Sequence, residues 1–222
     1  MMSMIGNDRH WRWCDWASLA VAILPLLIAW TLYPALPPKM AVHFGFSGQP
    51  DGYQPKSIFL ISQSLLLPAI PLLTKYLPVL DPKRENYAKF RRFYEIFRLT
   101  ITTFLAVMFG LILAFNLGYR IHMQMAVLLM VGLIWMVIGN FLGQVRFNYF
   151  FGIRTPWTLA DEEVWRRTHR LAAPLWMIAG GLMLISAFLP GWMSVGMLVA
   201  AIILTAMIPA VYSLIVYRKR HR

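Results

Sequence analysis

Side chains able to do chemistry gather in three places along this chain. The first is a Gly- and Pro-rich stretch holding His43, Phe44, Gly48, Asp51, Gly52, Tyr53 and Lys56. An imidazole, a carboxylate, a phenol and an ammonium this close can recognise an extracellular peptide or another envelope component. They can equally tie the loop to itself by hydrogen bonds, with the glycines setting turns. One His and one Asp fall short of the four ligands usual for structural zinc, so no metal is expected. The second place is Asn140 and Gln144, one helical turn apart and therefore on one helix face. Buried amides can bond between helices or line a polar solute path. Gly139 and Gly143 form a small-xxx-small pair on an adjoining face.

The third place is the densest. Asn148, Gly152, Arg154, Thr155, Pro156, Trp157, Thr158, Trp165 and His169 lie between two apolar runs, with Arg146, Phe147, Tyr149, Phe150 and Phe151 among them. Mixed aromatic and cationic residues beside an apolar run mark a membrane–water interface. The stretch can dock a cytoplasmic partner or anionic headgroups. It can also fold under a helix bundle as a cap, with Arg154 bonded to helix-end carbonyls. Thr158 through Asp161 has the capping pattern [ST]-x-x-[DE], which predicts a helix starting at Thr158. Asp161, Glu162 and Glu163 then read as first-turn charges facing the positive end of the helix dipole, not as paired acids. No Ser-His-Asp context, HExxH, phosphate loop or CxxC appears. Neither an enzymatic activity nor a cofactor is expected.

The elements that position these residues are membrane spans. Of 222 residues, 59% are hydrophobic and 14% charged. Soluble domains carry roughly a quarter charged residues. Apolar runs at about 16–36, 57–77, 96–117, 123–145, 172–189 and 193–217 are each long enough to cross, or nearly cross, hydrocarbon about 30 Å thick. The expected fold is an all-α polytopic bundle of about six spans. Between the first two spans, Ala41 to Phe44 is expected to be extended and Pro50-Asp51-Gly52 to form a tight turn. The net charge of +12 reflects basic residues beside apolar runs. That pattern suits orientation signals and membrane-lipid contacts better than direct nucleic-acid binding.

Arg9 and Arg12, the cluster from Lys83 to Arg92, the Arg146–Arg170 loop and the basic tail alternate with poorly basic loops. The positive-inside rule then places both termini and the Arg154 loop in the cytoplasm and the His43 loop outside. Asn116 and His122 read as interfacial. The lone Cys14 permits no intrachain disulfide, and no cleavable signal is expected. Two modules are expected, 1–80 with the patterned loop and 81–222 with four spans.

The run from Asn148 through Arg170, N-YFFGIRTPWTL-ADEEVWRRTHR, resembles the signature of the SdpI family of bacterial multispanning proteins. Leu36-Pro37, His43-Phe44, Gly48, Asp51-Gly52-Tyr53 and Lys56 resemble the LP-HF-G-DGY-K pattern of the module of unknown function that often precedes it. The resemblance implies an immunity protein of the bacterial inner membrane. It would protect the cell against a membrane-active peptide toxin or envelope stress. In the type member it also implies signalling by capture of a cytoplasmic transcriptional repressor. A small-solute transporter or channel, and a non-catalytic scaffold of an envelope complex, are the alternatives.

Overall fold

In the computed structural model, six helical segments are long and apolar enough to cross a membrane. They are Trp13–Thr31, Lys56–Leu80, Arg84–Asn116, Met123–Leu142, Glu162–Ser186 and Gly191–Arg220. The expected all-α polytopic bundle is borne out. The structure describes residues 10–222; Arg9, assigned to the basic N-terminal cluster, lies outside the described residues.

Helix α1 (Trp13–Thr31) begins where the Asp15 carboxylate accepts the Arg12 backbone N–H at 2.9 Å. A β-hairpin follows, β1 (Lys39–Phe44) antiparallel to β2 (Pro50–Pro55). The extended piece is where the sequence places it, but the turn is not. Gly45 to Gln49 reverses the chain, with Gly48 in the left-handed region at φ 76°. Pro50, Asp51 and Gly52 instead belong to β2. Gly52 lies opposite His43 in a bulged register, where a Cβ would stand 2.8 Å from the His43 Cβ. Close strand approach, not a turn, requires that glycine.

Helix α2 (Lys56–Tyr76) leads through two 3₁₀ segments into α3 (Arg91–Asn116). The short link to α4 (Met123–Leu142) makes α3 and α4 an antiparallel hairpin. After the loop come α5 (Pro156–Ala160), α6 (Glu162–Ser186), α7 (Gly191–Ile202) and α8 (Ile208–Arg220). The expected cap at Thr158 is corrected. Pro156 holds Thr155 extended, so Thr155 caps α5 and accepts the Thr158 N–H at 3.1 Å. Asp161 is itself the N-cap of α6, accepting from Glu163 N at 2.7 Å and Val164 N at 3.2 Å. Helix α6 then runs unbroken from the surface stretch into the fifth span.

The sixth span carries a π-helical turn at Ile203–Met207. Pro209 has no N–H to return to the Thr205 carbonyl. That carbonyl accepts instead from Trp176 Nε1 on α6 at 3.2 Å. One buried cluster joins α1, α2, β1 and the far end of α3 through Leu26, Met40, Leu60 and Phe109. A second, rich in aromatics, packs Tyr87, Phe93 and Trp165 under the loop after α4. A third joins α4, α6 and the last span.

Candidate functional site

One side chain bonds the hairpin backbone to the bundle directly. Asn116, at the last turn of α3, accepts from Ala41 N at 2.8 Å and donates to Ala41 O at 2.9 Å. Read in the sequence as merely interfacial, it satisfies both polar groups of one β1 residue. Phe44 packs edge-on against Phe115. Lys56 is taken up inside the element: its ammonium donates to Tyr33 O at 2.9 Å and Leu36 O at 3.0 Å and lies over the Tyr33 ring. Exposed at the surface remain His43, Asp51, Tyr53 and Phe46. His43 Nδ1 and Asp51 Oδ1 form a hydrogen-bonded pair across the strands. Gly48 lies against Gln124 of α4, beside a cleft of about 340 Å³ lined by Gln49, Phe115, His122 and Met125. Thus His43 and Asp51 are brought together, Tyr53 is exposed on the same hairpin, and Lys56 and Gly48 hold the hairpin's shape.

At the opposite end, the loop after α4 is tied down from within. Asn148 is wholly buried, and its Oδ1 accepts from Phe150 N and Phe151 N, with the Tyr87 hydroxyl oxygen 3.2 Å away. Asp81 accepts from the same hydroxyl at 3.0 Å and from Tyr149 N at 2.8 Å. Buried His169 accepts the Ile153 N–H on Nε2 and donates from Nδ1 to Trp165 O, which fixes the neutral tautomer. Gly152 has φ 111°, and a Cβ there would meet His169 Nε2 at 2.5 Å. Trp165 donates to Val145 O at 3.0 Å and stacks on His169.

Arg154 bonds a loop carbonyl, Tyr149 O at 2.9 Å, and not a helix end. Trp157 is half-buried. Thr155 also bonds Ser213 of α8. Burial raises the Asp161 carboxyl's pKa, but the Arg220 side chain and two backbone N–H groups outweigh it and hold the pKa below the ordinary aspartate value. Arg146, Arg154, Arg166, Arg167 and Arg170 remain exposed on this end.

The two amides are placed differently from either expectation: Asn140 lies in α4, but Gln144 falls just past its end and shares no helix face with it. Asn140 and Gln144 are exposed, and neither side chain has a hydrogen-bond partner among the described residues. The small residues alone make the helix contact: a Cβ on Gly139 would stand 2.8 Å from Met177 N and 3.0 Å from Ala173 O of α6. Gly132 and Gly180 face each other as closely.

Sequence reasoning missed a buried ionic cluster. Asp15 of α1 receives Lys75 Nζ of α2 at 2.6 Å and Arg98 Nη1 of α3 at 2.8 Å. The three side chains are only 4%, 6% and 7% exposed. Arg98 also donates to Pro71 O at 3.1 Å, and Tyr94 to Thr74 O at 2.8 Å. The signal lay in three charges near the same-side ends of three consecutive spans, which look like ordinary interfacial residues when read singly. Among the described residues no group of three His, Cys, Asp or Glu side chains could hold a metal.

Residues 144–213 match the SdpI/YfhL protein family, and residues 20–70 match a domain of unknown function, DUF1648. The SdpI-family resemblance is borne out. The Immunity protein SdpI of Bacillus subtilis (strain 168) is 26% identical over 204 residues, which is 91% of this chain and 95% of the relative. No solved structure matches. The SdpI/YfhL segment takes in the Asn148 loop, α5, α6 and α7 and reaches Ser213 in α8, and the DUF1648 segment contains the hairpin.

Proposed function

We propose that this chain is a multi-pass immunity protein of the bacterial cytoplasmic membrane, non-catalytic, protecting the cell from a membrane-active peptide toxin. The observation that carries this reading is likeness along nearly the whole of both chains to a protein named for immunity. The geometry supports it with a hairpin pinned by Asn116 that displays His43, Asp51 and Tyr53. The basic loops, read by the positive-inside rule, support a hairpin that faces outward and an Asn148 loop that faces the cytoplasm. The buried frame of that loop leaves its exposed arginines as the surface for a cytoplasmic repressor. Residues 1–80 act as the sensing module and 81–222 as the module facing the partner. A toxin that binds one bundle arrangement better than another shifts the population of loop conformations.

The test is survival of a toxin-sensitive strain lacking its own immunity gene. Expression of the chain should restore growth against the family toxin selectively over other membrane-active peptides. His43→Ala and Asp51→Ala should lower protection at equal membrane abundance. Full protection by both variants would remove the hairpin from the function. No protection by the intact chain would overturn the immunity reading itself.

A further inference from the structure

We propose that a cleft at the basic end of the bundle binds a phosphate-bearing anion, the headgroup of an anionic lipid being its source. The cleft has a volume of about 330 Å³ and lies between the start of α1, the turn before α3, the first turns of α3 and the residues after α4. That volume is in the range of small-ligand pockets, about 300–1,000 Å³. Arg12, Lys89, Arg91 and Arg92 line it with a single carboxylate, Glu95. Gln144 completes the wall, which gives that exposed amide a place in the molecule.

The charge balance is what calls for a ligand. Glu95 is already engaged, with Arg12 Nη1 at 2.7 Å and Arg91 Nε at 4.0 Å. Lys89 is held by the neutral Asn86 Oδ1 at 2.7 Å. Arg92 has no ion-pair or hydrogen-bond partner among the described residues. The next carboxylate inward, Asp15, is shared by Lys75 and Arg98. No free carboxylate is left among these groups to offset the excess cations. Guanidinium forks match phosphate oxygens in pairs, and such charge-assisted bonds are among the stronger hydrogen bonds.

The position favours a lipid over a soluble phosphate. Arg12 immediately precedes α1, whose Trp13 and Trp16 are 72% and 61% exposed. Exposed tryptophans at a span end mark headgroup depth. The cleft therefore opens where a lipid phosphate resides.

The full chain, reconstituted in phosphatidylcholine nanodiscs, can be titrated with short-chain phosphatidylglycerol while tryptophan emission is followed. Saturable binding is expected. The double substitution Arg91→Gln with Arg92→Gln should weaken it about tenfold or more, given two charge-assisted bonds lost. Arg218→Gln with Lys219→Gln removes the same charge from the tail and should leave the affinity unchanged. Equal weakening by both pairs would reduce the effect to diffuse attraction and overturn the site. So would absence of saturable binding. A parallel titration with inorganic phosphate separates the sources: binding there as tight as to the lipid would overturn the lipid assignment, and none would support it.

Discussion

Asp15 holds two cations in a place with almost no water, and the balance there is unequal. Removing the carboxylate strands two buried positive charges, whereas removing one cation leaves a one-to-one pair. Breaking a buried pair from one side costs about 3–5 kcal/mol, while replacing an ionic member by an apolar one of similar size can be nearly neutral. Asp15→Asn should therefore destabilise the protein by about 3–5 kcal/mol, and Arg98→Met by clearly less, although Arg98 is the larger side chain. Thermal unfolding in detergent, followed by tryptophan fluorescence, gives the order. The reverse order would mean that the Arg98 bond to Pro71 O outweighs the charge balance. None of this was legible from residue types, because a charge at a span end looks the same whether it faces headgroups or a partner. The exposed pair of His43 and Asp51 was half legible: the extended piece at His43 was expected, but Asp51 was expected in a tight turn and instead lies in β2, across a bulged register. Asp81 was not legible: it reads as the end of a span, yet its carboxylate joins Tyr87 and Tyr149 across two loops.

At the scale of elements, apolar run length found every span, because in lipid a single long apolar segment can satisfy its own backbone only as a helix. The ends were harder. A capping pattern at Thr158 competes with one at Thr155, and Pro156 decides for the latter by fixing its neighbour's ψ. The helix pair α4 and α6 was half legible: Gly139 and Gly143 were both candidates for close packing, but spacing cannot say which faces the partner. The structure separates them. A Cβ on Gly139 meets α6 backbone at 2.8 Å, and one on Gly143 meets Ala173 Cβ at an ordinary 3.7 Å. Gly139→Ala should cost about 1–3 kcal/mol, as overpacking does. Gly143→Ala should stay within about 0.5 kcal/mol of the parent. Denaturation of the two variants side by side in detergent measures the difference. Equal effects would mean that α4 shifts along α6 to absorb the extra methyl.

Taken whole, the molecule is asymmetric along its spans. One end carries a hairpin with few cations; the other gathers Arg12, the Lys83–Arg92 cluster, the Arg146–Arg170 loop and the tail. Helix α3 links the ends. Asn116 at one terminus holds the hairpin, and Arg98 near the other joins Asp15 and Lys75, so α3 is anchored at both ends. A hairpin that meets a toxin must face outward. The native Cys14 is buried, and Cys14→Ala gives a background without thiols. Ser47→Cys, at the exposed hairpin turn, should react with a membrane-impermeant maleimide in intact cells. Arg222→Cys and Arg170→Cys should react only after the membrane is opened. Labelling in the opposite sense would invert the bundle and turn the hairpin toward the cytoplasm. It would also contradict the positive-inside rule in a chain whose two ends differ this strongly in Lys and Arg. In that case the exposed His43 and Asp51 could meet only a partner already inside the cell.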